Sequence, residues 1–238
     1  MYSSNGSMLF MKKWKTFVAE YKHGFLALGY LFVYLAWFFY LEQTVTRHYE
    51  VIHMAIDDYI PFCEVFIIPY YLWFLYVAAT VIYLMFTDKK EYYRACVFLF
   101  TGMTVFLAIS TLWPNGQHLR PFTMPRDNIF TRMVQGLYRT DTPTNLWPSI
   151  HVYNSLGAHI AIMKCQKLSD KKWIQRGSFV LAVSIILSTM FLKQHSAFDV
   201  LTAFIMGFVM YGLVYRYDAV SAFQQAIREK KKSEPQLG

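Results

Sequence analysis

Residues 193–200 read KQHSAFDV and stand between two long uncharged stretches, Gly177–Leu192 and Val200–Tyr215. An ionisable group beside a membrane span is costly unless it pairs, lines a wet cavity or does chemistry. His195 and Asp199 are four residues apart, which places them on one face of a helix. A carboxylate beside an imidazole fixes its tautomer and leaves the other ring nitrogen free to act as base or nucleophile. A second histidine, His151, follows Pro148 in WPSIHVYN. Proline suits the first turn of a helix, so Ser149, Ile150 and His151 would offer backbone N–H groups to an anion, with the Ser149 hydroxyl beside them. Arg120, in HLRPF, brings a guanidinium whose planar fork matches phosphate, and Lys193 brings a further cation. Two histidines, a carboxylate and cations suit phosphoryl transfer. One histidine attacks phosphorus, the other protonates the leaving oxygen, and the cations stabilise the equatorial oxygens.

Elements that bring these residues together are legible as apolar blocks. The chain has 238 residues, 55% apolar and 16% charged, against roughly 25% charged in soluble domains. Six blocks approach the roughly 17–25 residues that span a bilayer: Gly24–Leu41, Val65–Phe86, Ala95–Trp113, Leu146–Met163, Gly177–Leu192 and Val200–Tyr215. The expectation is an all-α bundle of six transmembrane helices, the last three short. It forms a single domain over 1–228, with a disordered cytoplasmic tail over 229–238.

Most of the 23 lysines and arginines then fall on the side shared by the N-terminus, two loops and the C-terminal tail, among them Lys12, Lys13, Lys15 and Lys22. The positive-inside rule places both termini in the cytoplasm. The N-terminal segment lacks a signal-peptide cleavage site, so the first span is retained. Basic residues scattered over short loops do not make a nucleic-acid surface. Cys63, Cys96 and Cys165 form neither a disulfide framework nor a zinc spacing.

The site residues all fall at outer span ends. Between them runs the longest outer loop, Pro114–Trp147, which carries Arg120, Arg126, Arg132 and Arg139. Basic residues on the outer face suggest that something anionic binds there. Asp141 and Asn145 are read as shaping this loop, His159 as a buried hydrogen-bonded histidine, and Glu42–Ile60 as a surface helix that closes the bundle, with a short interfacial helix as the alternative. Outer loops without Asn-x-Ser/Thr favour a bacterial plasma membrane.

Pro-Ser-Ile-His, a later Ser…His-x-x-x-Asp and an earlier Arg-Pro, in that order over Ser110–Ala203, resemble the three-part signature of the phosphatidic acid phosphatase type 2 superfamily. The resemblance implies that His195 is the nucleophile that forms a phosphohistidine, Asp199 its orienting carboxylate and His151 the general acid. It also implies that Arg120, Ser149, the N–H of Ile150 and Ser188 hold the phosphate, without a metal or other cofactor. Trp113 stands where the common pattern has lysine, Ile150 where it has glycine and Thr189 where it has arginine. Lys193 is the candidate replacement cation. These departures are similar to the branch that includes inositol phosphorylceramide synthases.

The expected function is a metal-independent lipid phosphatase acting at the outer leaflet on a phospholipid or polyprenyl phosphate. The alternative is a phosphotransferase in which an alcohol replaces water. A transporter or a catalytically dead binding protein on the same fold is the third reading.

Overall fold

The computed structural model describes residue 16 and residues 18–233. Lys12, Lys13 and Lys15, used above for orientation, lie outside the described residues. The chain is mostly helical. Helix α1 spans Gly24–Thr44, α2 Ile67–Thr87, α3 Lys89–Leu112, α4 Ile129–Thr140, α5 Ile150–Lys164, α6 Lys172–Phe191, α7 Ala197–Tyr211 and α8 Ala219–Ser233. A π-helical turn, Gly212–Arg216, prolongs α7.

Among the described residues, five helices are long and apolar enough to cross a membrane: Gly24–Thr44, Glu64–Thr87, Lys89–Leu112, Lys172–Phe191 and Ala197–Arg216. They carry large apolar side chains on the outside, such as Phe32, Leu75, Val180 and Phe208. Outward apolar faces are what lipid as solvent selects. The fourth expected span is shorter than its apolar block. Ser149 caps it, accepting from Val152 N, and the 15-residue helix α5 is about 22 Å long at 1.5 Å per residue. It nevertheless sits in the middle, packed against α2, α3, α6 and α7. Small residues on α5 allow this. At Gly157 a β-carbon would come 2.7 Å from the Phe98 ring.

Three loop segments are stitched together over the end of the bundle where the site lies. Strand β1 (Glu50–Val51) pairs in parallel with β2 (Asn115–Gly116), and Gly116 bridges to Thr144. A β-carbon on Gly116 would lie 2.7 Å from the Pro143 carbonyl oxygen and from the Tyr49 ring, so the crossing requires glycine. The Asn115 side-chain oxygen accepts from Leu146 N (2.8 Å) and Trp147 N (3.0 Å), which fixes the chain just before α5.

Three expectations change. The long loop contains a helix, α4, capped by Asn128 on Thr131 N. Its polar and apolar residues are sorted by helical period, with Thr131, Val134 and Leu137 buried. Glu42–Ile60 is not a helix: Glu42 still belongs to α1, and only a 3-10 turn, Ala55–Asp58, follows β1. The tail is helical to Ser233, because Ala, Gln, Glu and Lys are strong helix formers and Gln225 bonds Glu229 one turn on. Residues 234–238 lie outside the described residues.

Candidate active site

His195 is reached by a tight exit from α6. Lys193 has φ 54, a left-handed backbone uncommon for a residue with a side chain. The N–H groups of Gln194 and His195 both donate to the Thr189 carbonyl, at 2.9 and 3.0 Å. Helix α7 then begins with Ser196 as N-cap and Asp199 three residues on, in a capping box. The cap residue Asp199 is also the histidine's partner. Its Oδ2 accepts from Ser196 N at 3.0 Å and from His195 Nδ1 at 3.3 Å. An ionised carboxylate only accepts, so this bond calls for a proton on Nδ1 and leaves Nε2 on the far side of the ring from Asp199. Both residues are buried.

Asp57 holds this turn from outside. Its carboxylate accepts from Ser196 Oγ (2.5 Å), Ala197 N (2.7 Å) and Met54 N (2.8 Å). A carboxylate at a helix N-terminus also complements the helix dipole. Ser149 N donates to the Asp199 carbonyl at 3.2 Å, which joins the start of α5 to the start of α7 and brings the two histidines together. The ring centroids of His151 and His195 are 5.7 Å apart, nearly edge to face. Among the described residues no carboxylate is hydrogen-bonded to His151. It lies between Tyr70 (centroid 4.5 Å, stacked) and Trp73 (4.3 Å).

Both histidines and Ile150 line a cavity of about 300 Å³. Its apolar wall comes from α1, α2 and α3, including Tyr34, Phe38, Phe74 and Phe106; its polar wall is Glu42, Asp141, Thr144 and Asn145. Asp141 lies in a loop, and burial pushes its carboxyl up to about 6.

The remaining expected site residues are placed differently. Arg120 is engaged by the loop: its Nη atoms donate to the carbonyls of Asp141 (2.8 Å), Thr142 (3.1 Å) and Tyr138 (3.5 Å), and to Gln194 Oε1 (2.6 Å). The guanidinium stacks over the Tyr138 ring at 4.6 Å, and burial holds it below the usual arginine range. Lys193 does not reach the histidines. The left-handed turn sends its Nζ to the Asp57 carbonyl at 2.7 Å, in a separate cavity with His53, Asp58 and His118. Ser188 Oγ donates back to the Ile185 carbonyl at 2.6 Å and does not line the histidine cavity. His159 is hydrogen-bonded, with Nδ1 2.9 Å from Ser178 Oγ.

Glu42, Asp57, Tyr70, Trp73 and Gln194 were not singled out by sequence. Glu42 carried a signal: it ends the first uncharged block as His195 and Asp199 border the last two. Among the described residues, no group of three or more His, Cys, Asp or Glu side chains is placed to hold a metal ion.

Residues 116–221 match the family model of the PAP2 superfamily. That stretch contains Arg120, Ser149, His151, Ser188, Lys193, His195 and Asp199, and leaves out α1, α2 and α3. Searches of curated proteins and of solved structures each returned no match. The match runs from Gly116 to Ser221, and this part of the chain, with the two histidines and the aspartate joined at one end of a helix bundle, is similar to the PAP2 superfamily.

Proposed function

We propose that the protein is a lipid phosphatase whose His195 forms a covalent phosphohistidine with a lipid phosphate. The match of residues 116–221 to the PAP2 superfamily supports phosphatase or phosphotransferase activity in general. The observation that carries the finer reading is the His195–Asp199 hydrogen bond beside His151 in a cavity lined by membrane helices.

His195 Nε2 attacks phosphorus while its Nδ1 proton stays on the Asp199 bond. The ester P–O bond breaks, and the leaving oxygen takes a proton from His151, which enters the step as an imidazolium paired with the bound phosphate. Water then gives a proton to His151 and attacks phosphorus; the P–N bond breaks and inorganic phosphate leaves. The ring centroids are 5.7 Å apart and both rings line one cavity, so one phosphoryl group can meet both. The first-turn N–H groups of α5 at Ile150 and His151 have no acceptor inside the helix and hold the equatorial oxygens, with Ser149 fixing the turn. Arg120 acts by fixing the Asp141 loop and Gln194, and Lys193 by fixing the Asp57 turn. No step in this scheme is assigned to a metal.

The short helix α5 is the sixth span in this reading, the termini are cytoplasmic and the site faces the extracytoplasmic side, as in a bacterial plasma membrane. A second reading, transfer of the phosphoryl group to an alcohol, is favoured by the acceptor-rich wall of Glu42, Asp141 and Asn145. The test is phosphate release from a panel of lipid phosphates in detergent with EDTA present. Release that survives EDTA and is lost in His195→Ala supports the phosphatase. Phosphate moving only to an added alcohol selects the transferase, and release unchanged in His195→Ala refutes both.

A further inference from the structure

The cavity beside the histidines has a polar wall that the phosphoryl chemistry does not use. Glu42 is held in place there: Oε2 accepts from the N–H and the hydroxyl of Thr142, at 3.2 and 2.6 Å, and Oε1 from Asn145 Nδ2 at 3.0 Å. That last bond settles the Asn145 amide. Its nitrogen faces a carboxylate, so Oδ1 is the end left over. Asn145 is 4% exposed, it lines the cavity, and among the described residues its Oδ1 has no partner. A buried carbonyl oxygen without a donor is costly and uncommon. Asp141 stands on the same wall, with Arg120 Nη2 4.0 Å away and the Tyr70 hydroxyl beside it.

An ionised carboxylate offers about four lone-pair positions, so Glu42 and Asp141 keep acceptor capacity beyond the bonds they make. Among the described residues no lysine or arginine lines this cavity; Arg120 meets Asp141 from outside it at 4.0 Å, one guanidinium against two carboxylates. The wall therefore presents oxygen acceptors and negative charge. A phosphate monoester dianion has no hydrogens to give it and is repelled by it. What complements it is a group rich in donor hydrogens.

We propose that Glu42, Asp141 and Asn145 form a subsite that recognises the hydroxyl or ammonium hydrogens of a polar group lying next to the phosphorus, and so select the substrate. That group is either the headgroup esterified to the phosphate of a phosphodiester lipid or a separate acceptor alcohol. The rings of Tyr34, Tyr70 and Trp73 on the same cavity pack against its carbon skeleton and add cation–π attraction for an ammonium. The inference rests on the His195–His151 reading for where phosphorus sits.

The test measures binding on His195→Ala protein in detergent, by titration calorimetry with paired ligands. One pair is a short-chain phosphodiester lipid with free headgroup hydroxyls and its O-methylated counterpart. A second is a primary-ammonium headgroup lipid and its N-acetylated counterpart. A third is a free polyol and its O-methylated form, added with a lipid phosphate. The free-donor member of at least one pair is expected to bind about tenfold tighter or more, as loss of hydrogen bonds to charged groups implies. In Glu42→Gln and in Asp141→Asn that preference drops below about threefold, with melting temperatures within a few degrees of the parent. The first two pairs separate hydroxyl from ammonium, and the third separates acceptor from headgroup. No preference in the parent for any pair, or a preference kept in both variants, overturns the subsite. A preference without turnover by the native enzyme supports the subsite and refutes the phosphohistidine reading.

Discussion

Both ends of the bundle bury ionisable groups, and they treat them in opposite ways. At the end away from the histidines, Tyr215 OH donates to Glu91 Oε1 at 2.6 Å, Arg94 pairs with Asp218 at 2.8 Å and with Glu91 at 3.8 Å, and Lys90 reaches Asp218 at 3.7 Å. These groups answer one another. At the histidine end, Asn145 Oδ1, Gln194 Nε2, Arg120 Nε and Asp199 Oδ1 are buried without a partner among the described residues, whereas His23 Nδ1 is such an atom at the other end. A network that serves stability closes on itself. One that serves a ligand leaves valences open, as Asn145 Oδ1 is on the wall of the histidine cavity.

Substitutions at the two ends should separate along this line. The largest effect is expected from His195→Ala, with activity down by on the order of 10³-fold or more, and from Asp199→Asn, down by about 10²–10⁴-fold through loss of the tautomer. Initial rates on a lipid phosphate check both. His151→Gln should cost about 10²–10⁴-fold. The loss should shrink with a nitrophenyl ester, whose leaving oxygen needs no proton. A loss independent of the leaving group would give His151 another role.

Stability should respond at both ends, and activity at only one. Asp57→Ala removes the carboxylate that holds Ser196 and the first turn of α7 and should cost about 2–4 kcal/mol; it should also lower activity, because His195 precedes that turn. Glu91→Ala at the closed network should cost about 1–3 kcal/mol and leave the pH profile of turnover unmoved. Thermal melts beside kinetics distinguish the two, and a kinetic defect in Glu91→Ala would break the contrast between the ends.

The smallest effect concerns Asp141. Burial raises its carboxyl from 3.8 to about 6, so the folded chain holds this proton more tightly than the unfolded one. That contribution to stability is fully present below about pH 4 and is lost as pH rises through about 6. Melting temperature should fall across that window in the wild type, and Asp141→Asn should remove that part of the slope.

What the sequence made legible follows from contrast. A histidine and an aspartate between two uncharged blocks cannot be hidden, and the spans and the His195–Asp199 pair were readable on that ground. The same contrast existed at Glu42 but lacked a nearby second group in the chain; its partners, Thr142 and Asn145, are about 100 residues away. Asp57 sat in a mixed polar segment with nothing to show that it reaches α7. Arg120 and Lys193 were read from charge alone, and charge does not reveal that a guanidinium is surrounded by loop carbonyls or that a left-handed φ turns an ammonium away. The amphipathic helix α4 was lost among four arginines that drew attention to charge rather than period. Length also misled at α5, where an 18-residue uncharged block contains a shorter helix.

The central claim is that His195 carries the phosphoryl group. The direct measurement is to mix the enzyme with a labelled lipid phosphate, quench within the turnover time in alkali, which preserves phosphohistidine, and map the label by mass spectrometry. The account predicts an acid-labile label on His195 that forms at a rate no slower than turnover and is absent in His195→Ala. Full turnover with no label on His195, or a competent label on another residue, would contradict it.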